Sequence, residues 1–202
     1  MTAILKVDTI QDTSGNNIIN ENANTVTIGK SGDTVNVVGT LQNAGTNFLQ
    51  GITNAQQFRI TADLVGTNND QAITTNIEEV DSTSYSSIGS IVSQSSGIFS
   101  FSATGLYYII FEGNFTGNGT VDSVSGYIQS TINNSTYNDL ARGLTYNDYD
   151  SLFIASTFVN VDDITNVKVK FRVQGLKTTS HLFGDTNITE TGFTFIRLGD
   201  SQ

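Results

Sequence analysis

Val167-Lys168-Val169-Lys170-Phe171-Arg172-Val173-Gln174 alternates apolar and polar residues without a break. Successive side chains of a β-strand point to opposite faces, so this stretch predicts a strand with Val167, Val169, Phe171 and Val173 buried and Lys168, Lys170, Arg172 and Gln174 in water. It also gathers several of the chain's 9 cations on one sheet face. Phe99 and Phe101 alternate with Ser100 and Ser102 in the same way, and Val124, Ile128 and Ile132 are placed on one face of a further strand. Leu106 to Phe111 and Leu152 to Val159 are instead nearly continuous apolar runs, as in strands covered on both faces. Phe193 to Leu198 supplies a last strand, and Arg59 to Leu64 and Ala72 to Val80 two weaker ones. No stretch carries helical periodicity. Many short strands separated by polar turn clusters predict an all-β sandwich over residues 55–202.

Residues 1–54 read differently. Leu5 to Ile10 is a β-branched run followed by the turn-rich Asp12-Thr13-Ser14-Gly15-Asn16-Asn17 and then Ile18-Ile19. Thr25-Val26-Thr27-Ile28-Gly29 is nearly repeated by Thr34-Val35-Asn36-Val37-Val38-Gly39, nine residues further on. A unit of one strand and one turn cannot close a core alone. The segment is therefore expected to be a β-rich stalk or arm that winds with identical chains, joined to the sandwich by a connector over residues 41–54 containing a short helix or plug. The two-sided apolar runs of the sandwich likewise call for a second cover, either a covering loop or a neighbouring subunit.

Composition narrows the function. Charged residues make up 14% of the chain, against about 25% in an ordinary soluble domain, and Ser, Thr, Asn and Gly fill the gap. With 12 Phe and 7 Tyr the chain can still bury a core. A net charge of −10 disfavours binding to nucleic acid or to an anionic membrane. No run is long and apolar enough for a membrane-spanning helix. The absence of Cys rules out disulfides and thiol chemistry. The first residues lack the basic and apolar regions of a signal peptide, so synthesis in the cytoplasm is expected.

Gly97 to Tyr108, Asp150 to Val161 with Asn166 to Gly175, and Gly192 to Leu198 together resemble the strand pattern of the trimeric jelly roll shared by complement-like and tumour-necrosis-factor-like domains. Leu5 to Ile10 with Asp12 to Gly15 resembles the opening of phage fibre-like virion proteins. The two resemblances imply a homotrimeric virion protein whose residues 1–54 attach to other virion proteins, with Leu5, Val7 and Ile10 as candidate attachment residues. Its function would be a tail fibre that binds a host receptor, or alternatively a trimer that decorates and stabilises the capsid.

Catalytic chemistry is not expected. The single histidine, His181, is read as a loop residue, and no Gly-x-Ser-x-Gly elbow accompanies it. Gly29-Lys30-Ser31-Gly32 is a turn, not a phosphate loop. Glu78 and Glu79 are adjacent and would point to opposite faces, and Asp162-Asp163 reads as a strand-ending turn. Asp148-Tyr149-Asp150 lacks the rest of a calcium-loop pattern. No cofactor or metal is expected. Residues 132–150 read as a loop rich in Tyr, Asn and Asp, in which Tyr137, Asn138, Tyr146, Asn147, Asp148 and Tyr149 are candidate contacts to a host polysaccharide or protein. Tyrosine offers a flat apolar face with a polar tip. The alternative is that the tyrosines cover the sandwich edge or the trimer seam.

Overall fold

The computed structural model describes residues 9–11, 13–14, 17–22, 25–28, 31–38, 42–43, 46–47, 52, 54–67, 70–117, 122–147 and 149–202. The chain divides into two compact units, residues 1–50 and 51–202. The described residues form strands and turns and contain no helix.

In the first unit, β1 (Thr9–Gln11), β2 (Asn17–Asn22) and β3 (Thr25–Ile28) form an antiparallel sheet in that order. The short strands β4 (Gln42–Asn43) and β5 (Thr46–Asn47) pair antiparallel, where a short helix or plug was expected. The first copy of the near-repeat is a strand, but the second is not. Residues 33–37 have no regular structure, and Val35, Val37 and Val38 are exposed. β-branched residues without a ladder partner or a core to pack on do not make a strand by themselves. Leu5 and Val7 lie outside the described residues. Ile10 is in β1 and is exposed.

The second unit contains β6 (Asn54–Ile60), β7 (Leu64–Val65), β8 (Asp70–Ala72), β9 (Ile77–Glu79), β10 (Val92–Ser95), β11 (Ile98–Phe101), β12 (Gly105–Thr116), β13 (Asp122–Thr131), β14 (Asn138–Asn147), β15 (Ser151–Val161), β16 (Lys168–Gln174), β17 (His181–Leu182) and β18 (Thr191–Gly199). One antiparallel sheet runs β10-β11-β16-β13-β14, with β8 also on β16. The other runs β15-β12-β18-β6-β9, with β17 on the end of β12 and β7 on β17. The two sheets close a sandwich. In β16 the alternation holds as predicted: Val169, Phe171 and Val173 are buried and their polar neighbours are half-buried.

Phenylalanines carry the core. Phe171 of one sheet stacks on Phe193 of the other with centroids 4.4 Å apart, and Phe99 meets Phe58 edge-on at 5.3 Å. Such pairs add to what their buried area contributes. Val124 and Ile128 point inward, but Ile132 lies beyond the end of β13 and is 79% exposed, because the chain turns at residues 132–135. The Asp162-Asp163 turn forms as expected: Asp163 Oδ1 accepts the Thr165 backbone N–H at 2.7 Å.

Of the strand expected over Ala72–Val80 only Ile77–Glu79 and the Ala72 end of β8 form, and the strand expected at Arg59–Leu64 is displaced to β6, which runs from Asn54 and ends at Ile60 before β7 resumes at Leu64. Gln56 of β6 is buried, and the side-chain Oε1 accepts the N–H groups of Ile91 and Val92 at 2.8 and 2.7 Å. That amide satisfies backbone donors that would otherwise be orphaned at the start of β10.

Candidate functional site

The two sheets differ on their outer faces. The β14-β13-β16-β8 face is an ordered polar surface. Strand register sets Arg142, Tyr127, Arg172 and Ala72 side by side, with Asp139, Gln129 and Lys170 in the neighbouring row. The Arg172 guanidinium lies 3.7 Å over the Tyr127 ring. It donates from Nη1 to Asp70 Oδ1 at 2.8 Å and from Nη2 to Asp139 Oδ2 at 2.7 Å. Gln129 Nε2 donates to Asp139 Oδ1 at 2.8 Å. The Arg172 hydrogen bond is the main reason the Asp139 carboxyl is held below its ordinary value, and the Gln129 bond adds to it. The Tyr127 hydroxyl donates to Gln174 Oε1 at 2.8 Å, and Arg142 grips Ser125 Oγ. Lys170 Nζ sits 3.9 Å from the centroid of the Tyr137 ring. The Tyr137 Oη is buried and makes no hydrogen bond among the described residues.

Several of these side chains border an open concavity of about 610 Å³, lined by Asp70, Ala72, Gln129, Tyr137, Asn138, Asp139 and Arg172. Two of the six candidate contact residues, Tyr137 and Asn138, fall here. The others do not. Residues 138–147 are the strand β14 rather than part of a loop, so Tyr146 lies eight residues along the strand from Asn138, about 27 Å at a strand's usual rise. Tyr146 and Tyr149 are exposed, at 69% and 72%. Asn147 ends the strand, and Asp148 lies outside the described residues. Asp70, Gln129, Asp139 and Arg172 were not among the sequence candidates. They come from four different strands, and only the register brings them together.

The outer face of the other sheet is mixed, with an exposed apolar stripe of Leu152, Ile154 and Phe158 along β15. Cross-strand register aligns Phe158, Tyr108, Ile196 and Ala55 in one row and Ser156, Ile110, Thr194 and Gln57 in the next. Phe158 is 60% exposed and Ile154 55%, and Tyr108 packs on Phe158 at 5.2 Å. Toward the other edge of the same face lies a hollow of about 250 Å³ bordered by Ala55, Tyr85, Ile88, Thr194 and Ile196. A further hollow of about 470 Å³ has Asn114, Asp150, Leu152 and Glu190 on its walls. Asn114 and Leu152 pair across β12 and β15, so this hollow belongs to the same sheet and not to the polar concavity.

His181 lies in β17, not in a loop. Its Nε2 is 3.2 Å from Asp63 Oδ2 and its ring stands edge-on to Phe183. The neighbouring Ser180 Oγ donates to the Lys177 carbonyl. Glu78 turns to Arg59, whose side chain is fully buried and also pairs with Asp81.

No family model matches the chain, and no curated protein matches it in sequence. Solved structures do match in fold. Murine APRIL aligns with a TM-score of 0.53 at 9% identity, covering 72% of this chain and 98% of APRIL. Eiger TNF from S. frugiperda aligns with a TM-score of 0.52 at 12% identity, covering 73% of this chain and 94% of that one. The second unit is an all-β sandwich with the jelly-roll fold of tumour-necrosis-factor-like domains, as its strand pattern implied.

Proposed function

We propose that this chain is a structural protein of a bacteriophage particle, not an enzyme, that it works as a homotrimer, and that its jelly-roll unit contacts the host cell. The observation that carries the reading is the exposed apolar stripe of Leu152, Ile154 and Phe158 along β15, on the outer face of the β15-β12-β18-β6 sheet. Exposed contiguous apolar surface of this kind marks an interaction site. Phe158 projects at one edge of the face, and the hollow bordered by Ile88 and Ile196 lies toward the other. A knob and a hollow on separate parts of one face suit a heterologous contact, which closes into a ring when the rotation allows it. Three copies related in this way cover the face. They also present three equivalent polar faces, which raises the avidity of weak contacts.

The virion assignment rests on the resemblance of Leu5 to Ile10 and the following turn to phage fibre-like openings. Residues 1–54 then attach to other virion proteins. A second reading, a trimer that decorates the capsid, is favoured by the exposed β-branched side chains Val26, Val35, Val37 and Val38, which suit strand addition to a partner. Electron microscopy of intact particles labelled with antibody against residues 55–202 separates the two. Label at the tail supports host adhesion, label over the head supports decoration, and no label on any particle overturns both.

A further inference from the structure

We infer that the concavity formed by Asp70, Gln129, Tyr137, Asn138, Asp139 and Arg172 is a binding site for a neutral sugar ring. The inference rests on the reading of the jelly-roll unit as the host-contacting part and names the ligand class of that contact.

Three observations point to this chemistry. First, the concavity is open and polar, and its volume of about 610 Å³ lies within the roughly 300–1,000 Å³ of small-molecule sites. Such sites are usually apolar, so a polar dish selects a ligand that is itself covered with hydroxyls. Second, the polar groups are planar and already fixed. Arg172 is clasped by Asp70 and Asp139 and stacked on Tyr127, and Gln129 is tied to Asp139. Asp139 accepts three hydrogen bonds, from Gln129 Nε2 and from Arg172 Nε and Nη2, which leaves one of its carboxylate lone pairs, and the guanidinium and the Gln129 amide keep further N–H groups. Vicinal sugar hydroxyls donate and accept at once, so they can bridge a carboxylate and an amide without rearranging either. Strand-borne side chains held this way are not reordered on binding, which removes a large part of the usual entropic cost. Third, the local charge balances. Asp70 and Asp139 stand against Arg172 and the neighbouring Lys170, on a chain whose net charge is −10. With its guanidinium committed to two carboxylates, Arg172 has no uncompensated charge to offer a uronate, sialate or phosphate. A neutral ring is accepted and an anionic one is not.

The test is saturation-transfer NMR on the intact chain with the methyl glycosides of glucose, galactose and rhamnose, and with glucuronate and inorganic phosphate as anionic probes. At least one neutral glycoside should bind in the millimolar range, with affinity little changed by added salt. Gln129→Ala should weaken binding by at least about tenfold, the loss expected for hydrogen bonds within a charged array. Gln129 lies on the outer face, in register with Lys170 and Asp139 and away from the core, so the fold remains, and a matching thermal unfolding curve checks this. Three results overturn the site: no neutral glycoside binds, an anionic probe binds more tightly, or the Gln129→Ala variant binds the sugar unchanged. These readouts use isolated protein. Particle labelling that fails would sink the virion reading and leave the sugar result standing. A failed sugar titration would remove this site and leave the virion reading standing.

Discussion

The ring of Phe153, on β15, lies directly against the bare backbone of Gly126 on β13 in the opposite sheet. A Cβ at Gly126 would run into the ring, and Gly113 of β12 flanks the same ring. Phe153 is buried and also packs on Phe111 at 5.0 Å. The two glycines make the slot that lets one large ring fill the space between the sheets. Gly126→Ala should therefore destabilise the unit by about 1–3 kcal/mol or more, the usual cost of overpacking a filled core. Phe153→Leu added to it should restore part of the loss. Urea unfolding of the single and double variants checks this, and additive effects would show that the two positions do not share the slot.

Arg59 offers a second test. Its side chain is fully buried on the outer side of β6, and it reaches Glu78 at 2.8 Å, Asp81 at 2.6 Å and the Thr186 carbonyl. It ties residues 78–82 and the segment before β18 to the sheet. Removing both carboxylates with Glu78→Ala and Asp81→Ala strips a buried cation of its two ion-paired partners and leaves only the more distant Asp185, and breaking a buried pair typically costs about 3–5 kcal/mol. Arg59→Met in that background should recover much of the loss, because no charge is then stranded. Thermal denaturation of the three proteins decides it, and equal stability of all three would refute the pairing.

The sandwich was legible because its inward residues are large and alternate strictly with polar ones, as in β16. β14 was not, for a physical reason. It is an edge strand whose inward positions are Ala141 and Gly143, and a Cβ at Gly143 would run into the Ile154 carbonyl. Small residues are needed where β15 passes so close, and small residues leave no hydrophobic period to read. The start of β6 was hidden by Gln56, a polar side chain buried to serve backbone donors. The polar concavity was half-visible: Tyr137 and Asn138 stand out by type, while its charged residues are brought together by pairing between distant segments.

Asp139 sets a pH dependence. Its carboxyl is held below the ordinary aspartate value chiefly by the Arg172 hydrogen bonds, with Gln129 assisting. A group depressed in the native state stabilises it fully above the unfolded value, and that contribution is lost as pH falls through the native value. The clasp on Arg172 should therefore persist at neutrality and open only in the acid range below the usual aspartate midpoint. Carboxyl-detected NMR titration should find Asp139 below the ordinary aspartate value and should see it rise toward that value in Arg172→Gln. An unshifted Asp139 in the parent chain would contradict the clasp.

Tyr137→Phe should be neutral or stabilising. The Tyr137 hydroxyl is buried without a hydrogen bond among the described residues. An unsatisfied buried polar group costs about 1–3 kcal/mol, and the Phe variant removes the group while keeping the ring beneath Lys170. Denaturant midpoints of the two proteins compare them directly. A clear loss of stability would mean that the hydroxyl has a partner in solution.

The sheet face that bears Phe158 makes the sharpest prediction about assembly. Phe158 is 60% exposed in the single chain, so a charge there disturbs no core contact of the subunit. In a trimer closed through this face the same side chain is buried against a neighbour, and a carboxylate would be taken out of water without a partner. Phe158→Glu should therefore yield a monomer by sedimentation equilibrium while keeping a cooperative unfolding transition. Val38→Glu, at a position 94% exposed in the first unit, should leave the trimer intact. Deleting residues 1–40 should likewise leave a folded trimer if the sandwich holds the contacts. A parent chain that sediments as a monomer would remove the oligomer altogether. A trimer that survives Phe158→Glu but not the deletion would move the contacts to the N-terminal unit, where the exposed valines would then be the seam.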